Sequence, residues 1–196
     1  MNQTSTNRRQ GPRRSADSRA AIIDATRHEL VESGWRKFSV DQVSRRAKAS
    51  KQTIYRWWPA IGNMCIEAGL TLVPDRSTKG RDPTERIADL MRPLEQSVQS
   101  SFGHSVMRGA LLAASDDRDA GETWRAWLRD NLRAPLRLIL AEIASKGVIR
   151  RDFDLDEAVD ILTGPFWSRV VVMRAPLPEN FSHVQAERLL SQLTPD

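Results

Sequence analysis

The chain reads as an all-α protein: an N-terminal three-helix head carrying a helix-turn-helix, followed by a larger antiparallel helical body. Three observations predict this. Apolar residues recur at spacings of three and four in segment after segment, and nothing reads as an alternating strand. Residues 35–58, WRKFSVDQVSRRAKASKQTIYRWW, hold two short helical patterns around a tight turn, the layout of a motif whose second helix enters the DNA major groove. Charge is divided unevenly along the chain. Residues 1–60 carry 13 Lys/Arg against 5 Asp/Glu, net +8, whereas residues 61–196 carry 17 against 20, net −3.

The totals bound the rest. A chain of 196 residues with 40% hydrophobic residues is long enough to bury a real core. No apolar run approaches the length of a bilayer span, so no membrane partner is expected. The basic start lacks the apolar stretch of a secretory signal. One cysteine, Cys65, forms no intramolecular disulfide. A cytoplasmic protein is expected.

Taken in order, residues 1–17 form a polar segment with Arg8, Arg9, Arg13 and Arg14 and no periodicity, expected to be a disordered basic arm. The head spans 18–60. Its brace helix runs from about Asp17 to Ser33 with Ile22, Ile23, Thr26, Leu30 and Val31 inward, and Gly34 stops it. Ser39 is an N-cap for a helix with Val40, Val43 and Ala47 on one face, and Ser50 caps the next. In that helix Ile54 and Trp58 turn inward together, while Lys51, Gln52, Thr53 and Tyr55 face out. Trp35, Phe38, Ile54 and Trp58 are assigned to the head's core.

A connecting helix occupies 61–73, with Met64, Cys65, Ala68 and Leu72 at helical spacing. The polar stretch Pro74–Pro83 separates it from the body, residues 74–196. Body helices are expected from Asp82 or Thr84, from His104 to Ala114, and from Ala120 to Ser145, where Pro135 should kink or split the helix and Gly147 end it. Another begins at Asp156 and is interrupted by Gly164-Pro165, with Met173 on its inner face. A last one runs from Glu179 to Leu193.

The chain resembles the TetR-type bacterial transcriptional regulators. The residues that carry the likeness are Ile22-Ile23-Asp24-Ala25, Gly34-Trp35, the run from Ser39 to Ala47, and Ser50-Lys51-Gln52-Thr53-Ile54-Tyr55-Arg56-Trp57-Trp58-Pro59. The body is similar more loosely, in helix count and in Gly164-Pro165-Phe166-Trp167-Ser168-Arg169. The resemblance implies a homodimer on double-stranded DNA at a palindromic operator, usually a repressor, released by a small molecule in the body. It also gives Thr53 and Tyr55 the role of hydrogen-bonding phosphate. Two departures stand out. Lys48 occupies a turn position where the family often has Gly, and needs either a left-handed conformation or a different turn. The stretch Pro59-Ala60-Ile61-Gly62-Asn63 lacks the cap hydroxyl and the cation usual there, so Lys48 is a partial replacement for that phosphate contact.

Phosphate contacts supply affinity and base edges supply specificity. Gln52 is the candidate base reader, since its amide can pair bidentately with adenine. Lys51 reaches a phosphate or a guanine edge, and Arg56 a base or phosphate. Arg45 and Arg46 steer the approach or touch the backbone, and Ser39 caps its helix with phosphate as a second partner.

In the body, Met91, Phe102, His104, Met107, Trp124, Trp127 and Phe166 read either as an aromatic-rich pocket for a largely hydrophobic effector or as ordinary core. Arg108 and Arg125 either meet an anionic group or are solvated. Phe166, Trp167, Val170 and Leu189 are the dimer candidates; the resemblance places a four-helix interface on the last two helices, and core packing is the other reading. Enzymatic chemistry finds little support. His28, His104 and His183 lie far apart in sequence, and no phosphate loop, metal-ligand spacing or nucleophile elbow is present, so no cofactor and no metal are expected. The alternative function is a helical protein that binds partners or anionic surfaces, with sequence-independent affinity for nucleic acid.

Overall fold

A computed structural model describes residues 12–76 and 81–194, and among these every regular element is helical. Helix α1 runs Pro12–Glu32, α2 Val40–Ala47, α3 Lys51–Trp57 and α4 Ile61–Leu70. The body follows as α5 Pro83–Ser97, α6 Ser101–Asp116, α7 Arg118–Leu128, α8 Ala134–Ser145, α9 Leu155–Trp167 and α10 Phe181–Leu193.

α1 begins five residues before the expected start, so the expected disordered arm is corrected over Pro12 to Asp17, the stretch that carries Arg13 and Arg14. Proline suits the first helical position because the N–H it lacks has no intrahelical partner there. The segment carries no apolar stripe, and a periodicity reading therefore stops short of it. Arg8 and Arg9 lie outside the described residues. Ile22, Ile23, Thr26 and Leu30 are buried as expected, but Val31 is 39% exposed. It falls on the side of exposed Asp24, and the buried Glu29 takes the inward place. Glu29 accepts a hydrogen bond from the Ser39 backbone N–H at 3.2 Å, tying α1 to the start of α2. Gly34, at φ 67°, closes the helix.

The head core gathers Ile22, Ile23, Ala25, Val43, Ile54 and Trp58, and it is completed by Met64 and Ala68 of α4. It therefore extends past the expected boundary at residue 60. Three faces of α4 enter three clusters. Met64 and Ala68 join the head, Ile66 joins the body core, and Cys65 packs with Leu30, Val106 and Ala113 at the junction. Burial, reinforced by the negative charge of Asp117, pushes the Cys65 thiol well above its ordinary value, so it packs as a small apolar group. Trp35 is corrected here: it sits at this junction rather than in the head core, and its indole N–H donates to Asp116 of α6 at 2.9 Å. At Gly69 a Cβ would lie 2.8 Å from the Ala110 Cβ, so α4 and α6 touch nearly backbone to backbone.

In the body, α5 packs against α10 and α8, and α6 against α4 and α7. The expected long helix is present with a local defect. Between α7 and α8 the turns widen to π geometry over Arg129–Arg133, directly before Pro135, which has no N–H to give its preceding turn. Gly147, at φ 74°, ends α8. The expected interruption at Gly164-Pro165 is corrected. α9 continues through Pro165, and the widening comes later, as π turns over Ser168–Met173. Met173 is 67% exposed rather than inward. The N-terminus of α10 is capped from another helix. Glu95 of α5 accepts from the backbone N–H groups of Phe181 and Ser182, at 3.2 and 3.0 Å, and from the Ser182 hydroxyl.

Candidate nucleic-acid interface

The helix-turn-helix is built by two capped helices and one left-handed residue. The Ser39 hydroxyl accepts from the Gln42 N–H at 3.4 Å to open α2, and Ser50 accepts from the Thr53 N–H at 3.1 Å to open α3. Between them Lys48 adopts φ 51°, ψ 38°, and the Ala49 N–H returns to the Ser44 carbonyl at 3.1 Å. Lysine thus accepts the left-handed turn that glycine takes without penalty. Lys48→Gly should stabilise the fold by about 0.5–1 kcal/mol, the relieved Cβ strain being partly offset by a freer unfolded chain. The same variant should bind DNA less tightly, with the salt slope reduced by about one if the ammonium neutralises a phosphate. Thermal denaturation and a salt titration of binding check the two effects separately.

α3 buries Ile54 and, at its C-terminal cap, Trp58, whose indole N–H donates to Glu67 of α4 at 2.9 Å. Glu67 also accepts from Arg19 of α1 at 2.6 Å, and the Arg19 guanidinium lies over Trp58 and Trp57, 5.3 and 5.6 Å from their ring centroids. One carboxylate and one cation thereby lock α1, α3 and α4 together. Trp57 remains 38% exposed beside them.

With its inner face so fixed, α3 turns the other side chains to solvent. Lys51, Gln52, Tyr55 and Arg56 are exposed and Thr53 is half-buried, its hydroxyl 2.9 Å from the Ser50 hydroxyl. Among the described residues, the side chains of Arg45, Lys48, Gln52, Tyr55 and Arg56 have no hydrogen-bond or ionic partner. Two expected contacts are occupied instead. Arg46 grips both carboxylate oxygens of Glu32, at 2.7 and 2.9 Å, and Lys51 pairs with Asp41. Both pairs are exposed and can exchange a carboxylate for a phosphate at little cost. Sequence reasoning passed over Arg36 and Lys37, exposed on a short 3₁₀ turn just before Ser39 and likewise unpaired among the described residues. Their proximity to the Ser39 cap in sequence was the available signal. α4 opens at Ala60 with no side-chain cap, consistent with the departure read at Pro59–Asn63. Asn63 instead accepts from Thr123 of α7 at 2.8 Å.

Of the body residues expected to line a pocket, Met91, Met107, Trp124, Trp127 and Phe166 meet in the body core, whereas Phe102 and His104 lie outside it. Met91, Met107 and Phe166 are fully buried in the continuous body core. Trp124 is buried there too, stacked on Trp127 at 5.3 Å and meeting Trp167 edge-on at 5.3 Å. Phe102 leaves this group and meets His28 of α1 edge-on at 5.4 Å. Trp127 borders a cleft of about 110 Å³ with Pro93 and Asn131, and His104 a separate one of about 380 Å³. Of the dimer candidates, Phe166, Val170 and Leu189 are fully buried within one chain, and core packing accounts for them. Trp167 is half-buried against Trp124 and Phe166. Among the described residues no group of three or more His, Cys, Asp or Glu is arranged to hold a metal, and no helix is long and apolar enough to cross a membrane.

A capped helix-turn-helix whose second helix keeps Gln52, Tyr55 and Arg56 exposed and unpaired among the described residues, carried on an α-helical body, defines the class of helix-turn-helix regulators. Comparison with known proteins narrows it. The profile described as "Bacterial regulatory proteins, tetR family" matches residues 22–63, and "Tetracyclin repressor-like, C-terminal domain" matches residues 82–189, more than half of the chain. The chain belongs to the TetR family of transcriptional regulators. It is 26% identical over 170 residues to the HTH-type transcriptional regulator YdeS of Bacillus subtilis, covering 84% of this chain and 83% of that one. It is 26% identical over 161 residues to the HTH-type transcriptional regulator Rv1556 of Mycobacterium tuberculosis, covering 79% and 77%. Solved structures share the fold. The TetR family regulator SCO0332 superposes with TM-score 0.60 at 23% identity over 91% of this chain and 100% of that one. GusR of Salmonella enterica gives 0.62 at 17% identity over 95% and 99%.

Proposed function

We propose that the protein represses transcription by binding, as a homodimer, a palindromic operator through α3 of each protomer, and that a small molecule in the body releases it. The observation that carries this reading is the exposed, unpartnered set Lys48, Gln52, Tyr55 and Arg56 on a head locked by the Arg19–Glu67–Trp58 network. Such side chains keep their hydrogen-bonding capacity for another molecule, and a rigid head leaves only their own side-chain freedom to be lost on binding. Gln52 reads a base edge, while Thr53, Tyr55 and the cations hold the backbone. Residues 18–60, completed by α4, serve as the DNA-binding unit, and residues 74–196 serve effector binding and dimerisation.

The outward faces of the last two helices form the proposed dimer seam. Val172 and Met173, 72% and 67% exposed on the π turns, replace the buried Phe166, Val170 and Leu189 as its apolar contacts. A hydrophobic effector enters beside Trp127, a member of the expected set that is only partly buried and borders one of the clefts.

Tyr55→Phe removes one hydroxyl and nothing from the core. It should weaken binding by about 0.5–1.5 kcal/mol equally on every operator variant, as gel-shift titration can measure. Nuclease footprinting on DNA flanking the coding region, with excess competitor DNA, tests the reading as a whole. A two-fold symmetric protected site supports it. Protection spread evenly over the fragment and lost with salt would instead support sequence-independent binding to polyanions.

A further inference from the structure

The strongest unassigned feature lies where the end of α5, the first half of α6 and the segment after the π turns of α9 meet. A cleft of about 380 Å³ opens there, lined among others by Val98, Ser101, His104, Ser105, Arg108 and Arg174. That volume falls in the range of small-molecule sites. No Asp or Glu lines it. Arg108 and Arg174 both line the cleft, near enough for the charge of one to act on the other, and among the described residues neither has an ionic or hydrogen-bonding partner for its side chain.

Each arginine is held at a cost. The Arg108 Nε is buried and unsatisfied, an arrangement that folded proteins rarely leave in place. Burial first, and the positive Arg174 second, hold the Arg108 pKa below its ordinary value. Arg174 sits at φ 52° in the left-handed region, where a side chain is disfavoured and glycine is the usual residue. Its backbone position is fixed by the bond from its own N–H to the Arg169 carbonyl. The adjacent Ala175 is fastened twice. Its N–H donates to Arg169 at 3.0 Å, and its carbonyl accepts from the His104 Nε2–H at 3.3 Å. Like charges facing one cleft without a counter-charge are stabilised by an anion that bridges them.

We propose that this cleft binds a small organic anion, its carboxylate or phosphate held between Arg108 and Arg174 and its compact apolar part against Val98. As a site it stands independently of the operator. As the effector site it rests on the operator reading above; it moves the effector from the Trp127 cleft to this one and changes it from largely hydrophobic to amphipathic and anionic.

Calorimetry on the DNA-free full-length chain at fixed ionic strength tests the site, with benzoate as probe, benzamide as its neutral counterpart and inorganic phosphate as a second anion. Benzoate or phosphate should bind once per chain, and benzamide about tenfold or more weaker than benzoate. Arg174→Gly should lose about tenfold or more in anion affinity while melting no lower than the native chain, since glycine accepts the left-handed backbone. Arg174→Glu should raise the melting temperature without any ligand, by giving Arg108 a partner. Benzoate and benzamide binding equally, Arg174→Gly binding as the native chain does, or no binding of either anion at the solubility limit would each overturn the proposal. Footprinting with and without the anion then separates the two readings. Anion binding without operator release keeps the site and overturns its role as the effector site. Absence of any footprint overturns the operator reading and leaves the calorimetric result standing.

Discussion

Trp58→Ala is expected to cost about 3–5 kcal/mol and to abolish DNA binding, although Trp58 is buried in the head core. The side chain is 4% exposed and fills the centre of the head core against Ile22, Val43, Ile54 and Met64. Its removal leaves a cavity that three short helices cannot close. It also deprives Glu67 of a donor and Arg19 of a ring face. Since α2 and α3 are only eight and seven residues long, neither is stable apart from that core. The expected measurements are a lower-melting or lost transition for the head, with loss of all operator variants alike. Retained melting with changed sequence preference would place Trp58 at the DNA instead.

Phe166→Ala is expected to cost a similar amount, about 3–5 kcal/mol, through the body. Its ring is fully buried, edge-on to Trp167 at 5.0 Å and near Phe181 at 6.4 Å, so it joins α9 to α10. Denaturant unfolding should show the loss in each folded chain. Val172→Ser, at an exposed position on the proposed seam, should leave that stability nearly unchanged and raise the dimer dissociation constant. Sedimentation analysis of the two variants distinguishes core from seam. A reversed pattern would return Phe166 to the interface.

Much of the head was legible because its local signals agree. Ser39 and Ser50 announce caps that form, Gly34 a stop that forms, and Val43, Ile54 and Trp58 an apolar face that is buried. The left-handed conformation at Lys48 was one of the two alternatives raised by the resemblance, since the family often has Gly at that turn position. What could not be read were relations between distant parts. Periodicity shows that Phe166 or Val170 is inward on its helix, but not whether the covering surface belongs to the same chain. Trp35 looks like head core in sequence and turns to Asp116 in space. Arg46 and Lys51 look free until Glu32 and Asp41 are found beside them. Pro165 forecasts a break at its own position, whereas the helix absorbs it and relaxes in the following turns. The cleft of Arg108 and Arg174 joins residues 66 positions apart, and only the folded chain brings them together.

The role of α3 is tested most directly by measuring the affinity of the native chain and of Gln52→Ala for a set of operators, each altered at one base pair. If α3 reads the operator, the native chain should show a preference at one position of each half-site that Gln52→Ala loses, a change of about 1–3 kcal/mol confined to that position. An equal loss on every operator, with the native preferences intact, would contradict the assignment of α3 as the reading helix.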